Sequence, residues 1–258
     1  MDLAKAILIF VGLLPLWATA ALSKKIQVYT IETPPTVVKT GEGLEGLSGT
    51  FGKVIASAIK KSGKEKEFEI VWVPWKRALL DLERNPQALF FPFTRTFERE
   101  YKVNWVMHLA DVDCWLYSVD PKVAIHDLKD LTKYRIGVLG GSAREQELRR
   151  YVGNSSKVEG MTEDLSNFRK LQTGRIDIWA THPAVMAEAQ KIMLAKGQPV
   201  RDSRALKKLF SQSMWMVGNR DMSDQNRNLV QSVFGWGSRR VIKPPPMTGK
   251  DFLNGALL

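Results

Sequence analysis

The sequence is poor in cysteine and histidine. Cys114 is the only cysteine in 258 residues, so no internal disulfide can form and the fold must be held by its core. Its neighbours Val112, Trp115 and Leu116 are apolar, which marks a buried thiol rather than a nucleophile. His108, His126 and His182 are widely spaced and make no metal-ligand cluster. There is no G-x-S-x-G elbow, no Ser-His-Asp order and no Cys-His pair. Neither G-x-G-x-x-G nor a Walker lysine is present. Low-complexity tracts and solenoid repeats are also missing. These absences argue against covalent, metal or nucleotide chemistry, and no metal or cofactor is expected. Past the first 22 residues no apolar run approaches the ~20 residues of a membrane span.

What is present is a balanced globular chain, 44% hydrophobic and 25% charged, with a net charge of +11. The basic residues fall in scattered pairs such as Lys60-Lys61, Arg149-Arg150 and Arg239-Arg240. No basic stripe interleaved with aromatics appears, so no nucleic-acid partner is expected. A solvated basic surface or an anionic solute accounts for the charge. Residues 1–22 read as a secretory signal peptide: Lys5, an apolar run from Ala6 to Trp17, and Ala18-Thr19-Ala20 as an A-x-A cleavage pattern. Cleavage after Ala20 or after Ser23 fits. The expected fate is export.

Apolar periodicity alternates between strand and helix along the rest. Ile26–Ile31, Phe68–Val73 and Ala88–Phe93 read as strands, and Thr50–Lys61 and the segment after Pro74 as helices. The order repeats after residue 130, with strands at Tyr134–Leu139 and Ile176–Ala180 and helices opening at Ser142, Thr162, Pro183 and Ser223. Further strands are expected at Trp115–Val119 and Ser213–Val217. The pattern implies an α/β fold of two similar lobes with mostly parallel sheets.

Three places can carry chemistry. Thr94-Arg95-Thr96-Phe97-Glu98-Arg99-Glu100 follows an apolar strand, at the carboxyl end where α/β sheets gather ligands. Hydroxyls and a guanidinium there suit a carboxylate, which arginine bonds through both oxygens. Gly140-Gly141-Ser142-Ala143 turns a strand into a helix, leaving N–H groups and a helix dipole that favour an anion. Thr181-His182, after Gly174-Arg175-Ile176-Asp177, stand at the end of a third strand and can face the same cleft.

Taken in order, these segments resemble the bacterial extracellular solute-binding family 3, the periplasmic amino-acid-binding proteins of ABC importers. Thr94, Thr96, Arg99 and Trp105 match its Thr-x-Thr-x-x-Arg segment and following aromatic. Gly141-Ser142 and Gly174-Arg175-Ile176-Asp177 match its second-lobe motifs. The resemblance implies a type II periplasmic-binding-protein fold with two crossover strands. Lobe 1 would take residues 24–111 plus about 219–258, and lobe 2 residues 112–218. It further implies the periplasm as the location, and a monomer that closes on a small anionic or zwitterionic solute and docks on a membrane permease. Arg99 would hold the ligand carboxylate, helped by Thr94, Thr96 and the turn at Gly141, Ser142 and Ala143. Trp75, or the nearby Trp72, would supply an aromatic wall.

The chain departs from that pattern in two places, and one is Asn85-Pro86-Gln87-Ala88, where the family has Gly-x-x-Asp before the first-lobe strand. Amino-acid binders carry an acid after the Gly-Arg-x-Asp strand to meet the ligand ammonium. Here Thr181-His182 stand there, with Glu32 of the first loop as a substitute. Two alternatives remain on the same scaffold. One is an exported, cyclohexadienyl-dehydratase-like enzyme using Glu32 or His182 as acid or base. The other is an extracytoplasmic sensor component.

Overall fold

Apolar β-formers near the start of the described residues form β1 (Ile26–Thr30), and a small ribbon of β2 (Val38–Lys39) and β3 (Leu47–Ser48) follows. The computed structural model describes residues 25–155 and 157–235; the expected signal peptide and the chain from 236 onward lie outside them. Helix α1 (Gly49–Ser62) buries Phe51, Ile55 and Ile59, four residues apart, and stops at Gly63, whose φ of 67° suits a residue without Cβ. Strand β4 (Phe68–Trp72) leads into α2 (Trp75–Arg84), entered through Pro74, with Trp75, Ala78 and Leu82 facing inward. Strand β5 (Ala88–Thr94) is buried at all seven positions, as a central strand covered on both faces must be.

Strand β6 (Val103–Ser118) then crosses the molecule. The second half repeats the plan with β7 (Ile136–Leu139), α3 (Ala143–Val152), β8 (Val158–Met161), α4 (Asp164–Gln172), β9 (Ile178–Thr181) and α5 (Pro183–Ala195). Strand β10 (Arg204–Asn219) returns beside β6, and α6 (Asp224–Phe234) packs against α1. The strand order is β4-β1-β5-β10-β6-β9-β7-β8. Each half has a parallel trio, β1 between β4 and β5 and β7 between β8 and β9. The two trios are joined through the antiparallel pair β6 and β10.

The cores follow that division. Ile26, Val28, Ile55 and Phe91 cluster with Val106 of β6, Met216 of β10 and Val230 of α6. Ile136, Leu148 and Ile178 cluster with Cys114 and Leu116 of β6 and Leu209 of β10. Each large side chain buried in this way contributes about 1.5–3 kcal/mol. Between the clusters β6 and β10 turn a polar face outward, where Ser213 Oγ donates to Asp111 Oδ1 at 2.5 Å and Ser211 Oγ to Asp113 Oδ1 at 2.6 Å. This face is why both strands run far beyond the short apolar stretches expected at 115–119 and 213–217. Strand β8 was not expected at all. It is a short edge strand whose Gly160 lies against Gly140, where an added Cβ would stand 3.0 Å from the Gly140 Cα.

Candidate functional site

The carboxyl ends of β5, β7 and β9 converge on the crossing of β6 and β10. Between the halves lies a small cavity of about 80 Å³. Ile31, Phe51, Trp75 and Thr94 wall it from the first half, and Leu139, Ser142, Arg144, Asp164 and His182 from the second. Val112, Gln212 and Met214 of the crossing strands form its base.

Three arginines near this region are buried, and they are held differently. Arg95 donates from Nε and Nη2 to Glu100 at 2.9 and 2.5 Å, and its guanidinium lies over the rings of Trp105 and Trp215. Arg144, at the start of α3, grips both oxygens of Asp164 at 3.1 and 2.9 Å and also donates to the Thr181 hydroxyl at 3.0 Å. Burial disfavours the Arg144 cation, but Asp164 more than offsets this and its pKa is raised. Arg99 is 7% exposed, and no carboxylate pairs with it among the described residues. Its Nη1 donates to the Thr94 carbonyl and its Nη2 to the Gly141 carbonyl, each at 3.2 Å, over the rings of Phe93 and Trp75. Burial pulls its pKa down to about 10.

The glycine turn is locally satisfied. Gly141 takes a φ of 74°, a left-handed value that favours glycine. Its N–H donates to Glu145 Oε2 at 2.6 Å, and Ser142 Oγ accepts from the Glu145 N–H while donating to the Leu139 carbonyl. Glu145 thus occupies part of the amide nest expected to meet an anion. His182 precedes α5, its Nδ1 3.0 Å from the Asp113 carbonyl and its Nε2 2.9 Å from Gln212 Nε2. Burial and the nearby Arg144 lower its pKa to about 4.

Five of the residues singled out by sequence line the central cavity: Trp75, Thr94, Ser142, Ala143 and His182. Arg99 and Gly141 line a neighbouring cleft of about 570 Å³. Thr181 is engaged by Arg144 behind the cavity wall. Glu32 lies in a third cleft and accepts the Lys39 N–H at 3.4 Å. Thr96 precedes the turn at Phe97–Arg99, beside Glu98. Arg144, Asp164 and Gln212 were not anticipated. Arg144 sits two residues past Ser142, but its partner is set by tertiary approach, and Gln212 has no local signal.

No protein-family model matches the sequence, and no curated protein matches it. Solved structures do match in fold. The arginine-, lysine-, histidine-binding protein ArtJ of Geobacillus stearothermophilus has a TM-score of 0.66 at 16% identity, over 81% of this chain and 88% of its own. A histidine kinase sensor domain with similarity to periplasmic binding proteins has a TM-score of 0.66 at 10% identity, over 82% and 87%. An ancestral amino-acid-binding protein, a precursor of cyclohexadienyl dehydratase, has a TM-score of 0.63 at 16% identity, again over 82% and 87%. The chain has the two-lobed α/β fold of the periplasmic binding proteins. Among its described residues no helix is long and apolar enough to cross a membrane.

Proposed function

We propose that this chain is an exported, periplasmic solute-binding protein. It closes as a monomer on a small carboxylate-bearing ligand, an amino acid or a related molecule, and delivers it to an ABC-type permease. Arg99 carries this reading. A buried cation with no carboxylate bonded to it is costly, and Arg99 is the buried arginine of this region in that position, favoured only by the charge of Glu98, which is itself bonded to Arg150. It stands at the boundary between the halves, bonded to a carbonyl from each. Opening of the cleft frees the guanidinium, and a ligand carboxylate takes the place of the two carbonyls with stronger, charge-assisted bonds. Closure is then a hinge motion at the crossing strands, drawn toward the closed state by the ligand's preference for it.

Two of the similar folds bear names that include amino-acid binding, which supports this ligand class. A dehydratase on the same scaffold needs a free acid or base at the site. His182 has both ring nitrogens engaged, and Glu32 lines an adjoining cleft that shares Ile31, Trp75 and Asp164 with the cavity and accepts the Lys39 N–H; the engagement of His182 favours binding over catalysis. A sensor role would use the same site, and a pull-down from membranes distinguishes a permease from a signalling partner. The direct test is a thermal-shift screen of the mature protein against amino acids, hydroxy acids, aromatic carboxylates and polyamines. A ligand at ~1,000 times its Kd adds about 4 kcal/mol, several degrees in midpoint. A shift with carboxylates that Arg99→Ala abolishes supports the proposal. No shift with any carboxylate removes it.

A further inference from the structure

Gln212 lies in β10 where the two halves meet, opposite Val112 of β6, and lines the central cavity beside His182 and Met214. It is 6% exposed. His182 decides which way its amide faces. The Asp113 carbonyl can only accept, so the His182 Nδ1 facing it carries the hydrogen. A neutral ring then presents a bare Nε2, and the Gln212 atom 2.9 Å away must be the Nε2 donor. Burial and Arg144 keep the ring neutral. The Gln212 Oε1 is thereby committed elsewhere, and it has no hydrogen-bond partner among the described residues. Buried amide oxygens are almost always met by a donor.

The charges at this end of the cavity are spent on each other. Asp164 is held at both oxygens by Arg144, whose remaining contact is the Thr181 hydroxyl. The other walls are uncharged: Phe51, Val185 and Met214 are apolar, and Thr33, Thr36 and Thr94 carry hydroxyls. An ammonium entering would lose its hydration opposite a neutral carbonyl, with the pull of Asp164 offset by Arg144. A hydroxyl or amide N–H loses far less on desolvation and is matched by a single acceptor.

We propose that Gln212 is a specificity-determining residue that accepts a hydrogen bond from an uncharged O–H or N–H of the ligand, in place of the ammonium of an α-amino acid. The ligand class is then a small carboxylate with an apolar body and a neutral donor, such as a 2-hydroxy or N-acyl acid. This rests on the solute-binding reading above.

The test uses matched probes that differ only at this group: L-leucine against L-2-hydroxy-4-methylpentanoate, and L-phenylalanine against L-3-phenyllactate. Affinities are measured by titration calorimetry on the mature protein. The hydroxy acid of at least one pair is expected to bind about tenfold or more tightly than its amino acid, and Gln212→Leu to erase about tenfold of that affinity. Gln212→Glu, shown folded by circular dichroism, is expected to swing the ratio toward the amino acid. Amino acids binding as well as their hydroxy partners would overturn the assignment while leaving solute binding intact. So would a ratio that Gln212→Glu leaves unchanged. If Gln212→Glu does not fold, the wild-type ratio decides alone. Binding of neither member of either pair would overturn it too, and the broader carboxylate screen then shows whether the solute-binding reading falls with it.

Discussion

Arg99 and Gly141, 42 residues apart in sequence, are joined across the two halves by a bond of 3.2 Å from Nη2 to the carbonyl. The same guanidinium bonds the Thr94 carbonyl, so one side chain ties the end of β5 to the turn before α3. Nearby, Arg150 Nη2 lies 2.5 Å from Glu98 Oε1 across the same boundary, but both side chains are about half exposed, and such pairs contribute ~0–1 kcal/mol. Arg99 is therefore the contact whose loss should be felt. Arg99→Ala is expected to stay folded and to lose about 2–5 kcal/mol of ligand affinity, read by calorimetry with any carboxylate that shifts the wild type. Arg99→Lys should recover only part of this, since an ammonium lacks the planar fork.

The Arg144–Asp164 pair tests a different property. Its members are 6% and 12% exposed at the side chain. Arg144→Met leaves the Asp164 carboxylate buried and uncompensated and the Thr181 hydroxyl without its donor, and should cost about 3–5 kcal/mol in urea unfolding. Replacing both partners, Arg144→Met with Asp164→Leu, should cost less than the sum of the single changes, because no lone charge remains. Additive costs would show that the pair is not coupled.

His182 sets a pH dependence of known sign. Its folded pKa, about 4, lies below its ordinary value near 6.5. Between those values the unfolded chain holds a proton that the folded chain refuses. Stability therefore rises as pH climbs from about 4 to about 6.5 and is flat above, as far as this group contributes. Burial and Arg144 oppose protonation, while the bond to the Asp113 carbonyl and the charge of Asp164 favour it. Urea midpoints measured across this range should fall toward acid by an amount on the order of 3 kcal/mol in unfolding free energy. His182→Asn should flatten that part of the slope; an unchanged profile would assign it to carboxylates instead.

Cys114 is fully buried, and desolvation pushes its thiol up to about 12. The thiolate is the reactive form, so a disulfide reagent should leave the native protein unmodified near neutral pH and label one thiol per chain after urea unfolding. Rapid labelling of the native protein would place this part of β6 in frequent opening.

The alternation of elements was legible because it is written in short-range patterns. The spacing of Phe51, Ile55 and Ile59 in α1, Pro74 before α2, and Ser142 and Ser223 as caps declare themselves within a few residues. Strand β8 and the outer lengths of β6 and β10 did not, because an edge strand and a half-exposed antiparallel pair carry polar residues such as Asp111, Asp113 and Ser211. The gathering of strand-end residues was legible for a related reason. Strand ends are where ligands gather, and Thr94, Ser142 and His182 all sit at such ends and reach one cavity.

By itself the sequence determined the α/β class, the doubled order of elements and the burial of the single thiol. All of these follow from periodicity, capping and composition. Only the tertiary structure decided how the charges are spent. Arg95, Arg99 and Arg144 are equivalent cations in the sequence, yet Glu100 takes the first, Asp164 takes the third from 20 residues away, and Arg99 is left with carbonyls. The orientation of Gln212 likewise depends on His182, 30 residues earlier in the chain. Buried polar groups choose partners by distance in space and by the cost of remaining unpaired, and neither quantity exists until the chain has folded.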